Sequence, residues 1–150
     1  MFASTIENSV LDMFPQVELK GHITLVTTRS QAQKAADYLS RQPVLGFDTE
    51  TKPRFSSGKM YKPALLQLST DSRSFLIHLK KTGLPAELIA VLSDPRIVKA
   101  GAAVRDDIIG LQRYADFQAE GFVDLQEMAQ EYGIVEKSVK KLAAIVLGKR

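Results

Sequence analysis

With 150 residues, 45% of them hydrophobic, the chain is the size of one domain and can bury a substantial core. The absence of cysteine rules out a disulfide framework and any thiolate-bound metal, so a metal here must sit on oxygen or imidazole ligands. Lys and Arg outnumber Asp and Glu by 20 to 17, a net charge of +3 that permits nucleic-acid binding without establishing it.

Residues 1–21, with Pro15 and Gly21, read as an N-terminal extension in which Ile6, Val10, Leu11 and Phe14 form one face of a short helix. No basic segment precedes an apolar core there, and no apolar run approaches bilayer length, so a soluble, cytoplasmic protein without membrane contact is expected. The remainder, 22–150, reads as one domain and opens on a β-branched strand at 23–27. Ser30 with Gln33 has capping-box spacing, and Ala32, Ala35, Ala36 and Leu39 supply the apolar stripe of a helix over 31–41. Residues 44–51 form the next strand, 52–62 a polar loop, and 64–70 and 74–79 two strands joined at Asp71-Ser72-Arg73 in an antiparallel meander. After Gly83 and Pro85 the pattern alternates: helix 86–92, strand 97–102, helix 105–114, strand 122–124, then helices 125–132 and 138–147. That order implies an α/β fold, a mixed sheet with helices on its faces.

The strand at 44–51 is the odd one. Val44, Leu45 and Phe47 mark it as buried, yet it ends in Asp48 and Glu50. Side chains alternate along a strand and the rise is about 3.3 Å per residue, so the two carboxylates share a side with Cα atoms roughly 6.6 Å apart. Both can reach one small ion; a strand running out into solvated acids also accounts for them. Because the chain has no cysteine and only His22 and His78, carboxylates are the better metal ligands, and their hard oxygens suit Mg²⁺ or Mn²⁺. Both histidines read as ordinary surface or core residues.

A second acidic pair, Asp106 and Asp107, opens the helix at 105–114, where acids complement the helix dipole. Just before it, Gly101, Ala102 and Ala103 are small enough to let the strand-to-helix turn pass close to another segment, such as the strand of Asp48 and Glu50.

Phe47-Asp48-Thr49-Glu50-Thr51 resembles the first motif of the DEDD superfamily of 3′-5′ exonucleases, and the run from Lys99 to Asp107 resembles the second. Residues 62–70 and 74–78 resemble the paired strands between those motifs, and the closest subgroup is the Werner-helicase exonuclease and ribonuclease D branch. The resemblance spans residues 20–148. It implies a ribonuclease-H-like fold, hydrolysis of DNA or RNA from the 3′ end, and two divalent ions, Mg²⁺ or Mn²⁺, on four carboxylates. Asp48, Glu50 and Asp107 match three of them, with Asp106 the less favoured register. The third motif, a Tyr or His shortly before a final Asp, has no match up to Arg150: Tyr114 and Asp116 lie too early and too close, and Tyr132 has no aspartate after it. The helical C-terminal part is therefore expected to be incomplete, with the fourth carboxylate and the water-orienting group missing and turnover weak or absent. Asp124 matches a structural aspartate and reads as an N-cap.

Lys52, Arg54, Lys59 and Lys62 follow the acidic strand and could meet a phosphate backbone, or simply belong to a solvated loop. Phe55 and Tyr61 could stack on a terminal base. Thr49 and Thr51 complete the candidate nucleic-acid contacts. Lys137, Lys140 and Lys141 read as the wet face of the last helix. The competing expectations are a silent nucleic-acid-binding module and an interaction domain whose incomplete C-terminal edge presents apolar surface to a partner or a second copy.

Overall fold

The computed structural model describes residues 1–18, 20–52 and 61–150. Its centre is a six-stranded sheet: β1 (His22–Val26), β2 (Val44–Thr51), β3 (Pro63–Ser69), β4 (Arg73–His78), β5 (Val98–Gly101) and β6 (Phe122–Asp124). The spatial order is β1-β4-β3-β2-β5-β6. β2, β3 and β4 form the antiparallel meander, while β5 and β6 add in parallel beside β2. β1 is a correction to the antiparallel expectation, because it pairs parallel with β4 at the far edge. The helix between β1 and β2 carries the chain back across the sheet, which a parallel edge requires. A mixed sheet flanked by helices is the α/β, ribonuclease-H-like arrangement anticipated.

The first long helix, α2 (Arg29–Leu39), starts earlier than its Ser30 signal indicated. Thr28 is the cap: its hydroxyl accepts from the Gln31 amide, and the Gln31 side chain accepts from the Thr28 amide in return. Thr28 wins because it stands in extended backbone directly after β1. Ala32, Ala35, Ala36 and Leu39 are buried as the stripe indicated, against Leu45, Leu66, Leu68, Phe75 and Ile77 of the sheet and Leu88, Val91 and Leu92 of α4 (Ala86–Ser93). Each of the larger side chains here, Leu, Ile, Val or Phe, contributes about 1.5–3 kcal/mol on burial, which makes this layer the main core of the molecule. A one-turn helix, α3 (Leu79–Thr82), follows β4 without a sequence signal of its own.

Lys99 of β5 lies in this core with no exposed surface. Its Nζ donates to the carbonyls of Val91 and Asp94, each at 2.9 Å, and stands 5.3 Å from the Phe122 ring centroid. The ammonium thus closes the C-terminal end of α4, where carbonyls lack helical partners. Burial pushes its pKa down to about 8, against the pull of Asp94 and Glu120. His78 is also less satisfied than expected, its Nδ1 being buried without a hydrogen-bond partner among the described residues.

The last two helices, α6 (Leu125–Glu131) and α7 (Val139–Leu147), pack around a separate small cluster of Ala129, Ile134 and Leu142. The N-terminal segment, with its one-turn helix α1 (Asn8–Leu11), straps this pair. The Val135 amide donates to the Ser4 carbonyl, Ile6 N–H to Glu136, and Arg150 N–H to the Pro15 carbonyl. Arg150 also binds the Phe14 carbonyl and pairs with Asp12. No helix of the described residues is long and apolar enough to cross a membrane.

Candidate active site

The strand β2 alternates as its sequence required. Leu45, Phe47 and Thr49 are buried, while Asp48 and Glu50 are exposed. The ladder to β3 shifts register between Glu50 and Thr51, where Thr51 pairs with Pro63 and Ala64 is left as the extra residue. Such a bulge re-aims the strand just past the two acids.

The helix α5 (Val104–Leu111) brings the third acid to this place, and three close approaches fix it there. At Gly101, a Cβ would stand 2.4 Å from the Phe47 carbonyl oxygen, so only glycine lets β5 leave the sheet beside β2. The small-residue turn therefore does pass against the acidic strand. At Gly110, a Cβ would stand 2.7 Å from Pro63, so α5 lies directly on the start of β3. Tyr114, one turn further on, donates its hydroxyl to the Pro63 carbonyl at 2.5 Å.

The turn into α5 is held from the other side by Asp124. Ala103 adopts a left-handed conformation, φ 54°, which costs a non-glycine residue roughly 1–2 kcal/mol. Asp124 compensates by accepting from the amides of Ala103, Val104 and Gln126, at 3.2, 3.3 and 2.9 Å. It is the N-cap of α6, as read, and also a clamp on the first turn of α5, which the sequence did not reveal because the contact spans 20 residues.

Asp107 is half-buried, and its Oδ1 accepts a short hydrogen bond from the Thr49 hydroxyl. The amide of Thr49 donates to Asp48 Oδ1 at 2.9 Å. Thr49, read as a nucleic-acid contact, is thus 9% exposed and engaged with both aspartates. Burial raises the Asp107 pKa, the Thr49 bond works against that rise, and the charges of Asp48, Asp106 and Glu50 add to it. Asp106 is exposed, one position off the Thr49 contact.

Of the remaining candidates, Lys52 and Tyr61 meet, with Nζ 5.3 Å from the ring centroid, and Lys62 lies 5.0 Å from the Tyr114 ring centroid. Thr51 is exposed at the bulge. Arg54, Phe55 and Lys59 lie outside the described residues. Lys141 is not simply solvated, since it pairs with Glu136 at 3.3 Å.

The donor chemistry fits a hard divalent ion: three carboxylates from two elements, with the charges of Asp48 and Glu50 near enough to Asp107 to help raise its pKa. A dication relieves that repulsion. The side chains as placed form an open set, because among the described residues no three His, Asp or Glu groups converge to enclose an ion.

A mixed sheet with an acidic strand at its centre and an acidic helix beside it gives the chain a ribonuclease-H-like fold. A family model described as 3′-5′ exonuclease matches residues 23–150, and the chain belongs to that family. It is 31% identical over 133 residues to the mouse bifunctional 3′-5′ exonuclease/ATP-dependent helicase WRN, covering 84% of this chain and 10% of that protein. It is 30% identical over 152 residues to the Arabidopsis thaliana protein RRP6-like 3, covering 93% of this chain and 16% of that one. In fold it is similar to the Aedes aegypti Nibbler EXO domain, with a TM-score of 0.70 and 23% identity over 86% of this chain and 70% of that one. The chain therefore spans only a small part of the curated relatives it matches.

Proposed function

We propose that residues 22–150 are a metal-dependent 3′-5′ exonuclease domain that hydrolyses phosphodiester bonds at the 3′ end of DNA or RNA, with residues 1–21 as an extension. The observation that carries this reading is the delivery of Asp107, by α5, to the residue between Asp48 and Glu50. Asp48, Glu50 and Asp107 are assigned as the ligands of Mg²⁺ or Mn²⁺. When bound, such an ion supplies the charge that activates water and stabilises the leaving 3′ oxygen. The protein's own part is to hold the acids in register: β2 spaces Asp48 and Glu50, Gly101 and Gly110 seat α5, and Asp124 fixes its first turn. Lys52 with Tyr61, and Lys62 with Tyr114, place cations and rings beside the end of β2, suited to a phosphate and a terminal base. The third motif is unmatched up to Arg150, so turnover by these residues alone is expected to be weak.

The test is a 5′-labelled oligonucleotide incubated with excess protein and Mn²⁺. A ladder shortening slowly from the 3′ end, and abolished by Asp48→Ala, supports the reading. An intact oligonucleotide, or a ladder that survives Asp48→Ala, overturns turnover at this site.

A second reading, a binding or interaction domain without turnover, draws on a different feature. A groove of about 500 Å³ between α6 and α7 leaves Met128, Tyr132, Val139 and Leu147 exposed. Self-association through that edge belongs to this reading, and sedimentation across a concentration series tests it.

A further inference from the structure

We propose that Thr49 is a positioning residue, which sets the carboxylates of Asp48 and Asp107 for a shared cation. This rests on the metal-site reading above. Thr49 touches both aspartates: its amide donates to Asp48 Oδ1 and its hydroxyl to Asp107 Oδ1. Each aspartate is thereby held by its Oδ1, and among the described residues Oδ2 of each accepts no hydrogen bond. The two bonds come from one buried residue on a central strand, so they share a rigid frame.

The need for such a frame follows from the charges. Asp107 stands in the first turn of α5, where solvent and the helix N-terminus are available to it, and the charges of Asp48 and Glu50 repel it. A donor on the strand between those two acids opposes that repulsion. The hydroxyl matters more than the bulk of the side chain, because a buried carboxylate without a donor pays the full cost of desolvation. The strand alternation requires an inward side chain between the outward acids, and a threonine there supplies both β-propensity and a hydroxyl.

The test is Mn²⁺ affinity, read from the electron paramagnetic resonance signal of the free ion. Thr49→Val keeps the shape and removes the hydroxyl; it is expected to weaken binding about tenfold, as the loss of one charge-assisted hydrogen bond does. Thr49→Ser restores the hydroxyl and is expected to bind within about twofold of the parent chain. In an Asp107→Ala background, Thr49→Val is expected to change nothing further, whereas a merely structural role would weaken binding again. Thermal melts accompany each variant, and Thr49→Ala replaces Thr49→Val if the latter does not fold. Parent-like affinity in Thr49→Val, no rescue by Thr49→Ser, or additivity with Asp107→Ala overturns the positioning role. If the parent chain binds no Mn²⁺, or Asp48→Ala binds it equally well, the metal-site reading fails and the positioning role with it. Binding lost in Asp48→Ala but intact in Thr49→Val removes the positioning role alone.

Discussion

The layer of α2 and α4 on the sheet and the α6–α7 pair with its N-terminal strap are held together by different forces. In the first, Leu39, Leu45, Leu66, Leu68, Leu88 and Leu92 have no exposed surface, and the core is continuous from β1 to α5. In the second, Ala129, Ile134 and Leu142 form a small cluster, while Tyr132, Val135, Val139, Val146 and Leu147 stay exposed. Polar ties make up part of that deficit: Ser4 to Val135, Ile6 to Glu136, and Arg150 to Phe14, Pro15 and Asp12. The acidic site sits wholly on the first region. The three carboxylates are thus carried by apolar packing, and the polar ties reinforce the part with the smaller core.

The sharpest contrast is expected from core truncation. Phe75→Ala empties a fully packed site and is expected to cost about 3–5 kcal/mol, while Leu142→Ala, beside an open groove that can collapse, is expected near the low end, about 2 kcal/mol. Urea denaturation measures both; equal losses would mean the two regions fold as one core. Asp124 joins the regions, capping α6 and clamping α5. Its replacement in Asp124→Ala is expected to cost about 2 kcal/mol and to weaken Mn²⁺ binding as well, since the turn that presents Asp107 loses its acceptor. A cost in stability with unchanged Mn²⁺ affinity would show that the clamp serves only α6.

Lys99 separates the regions by pH. Its folded pKa, about 8, lies below the ordinary 10.5, so between those values the unfolded chain holds the proton and the folded chain does not. Stability against urea is therefore expected to rise with pH across about 8 to 10.5, and Lys99→Met is expected to flatten that rise. Glu136 acts in the opposite range and more weakly. The Ile6 amide, then Lys141, hold its carboxyl below the ordinary 4.5, so its contribution is present at neutral pH and lost as pH falls through the folded value. Amide exchange at Ile6 is expected to quicken in acid before any amide of β2 does, and Glu136→Gln to remove that difference.

Much of this was legible in the sequence. The β2 strand falls where the apolar run ending in acids put it, β6 matches residue for residue, and Gly101 makes the close approach its small neighbours suggested. What sequence reading missed depends on contacts between distant segments. The parallel pairing of β1 with β4, the burial of Lys99 under α4, and the Asp124 clamp leave no periodic signal, because each joins residues whose local patterns are already satisfied. The inward turn of Thr49 between Asp48 and Glu50 was within reach of strand alternation alone. The Thr28 cap was missed because Ser30 offered the same spacing two residues later.

The most direct test is Mn²⁺ titrated into the isotope-labelled chain while its amide resonances are followed. A cation held by Asp48, Glu50 and Asp107 broadens the signals of residues 47–51 and 104–108 first and leaves those of α6 and α7 sharp, and Asp48→Ala abolishes the effect. Uniform broadening, or broadening centred on Asp12 of the strap and on Glu136, would contradict the assignment of these acids as a metal site.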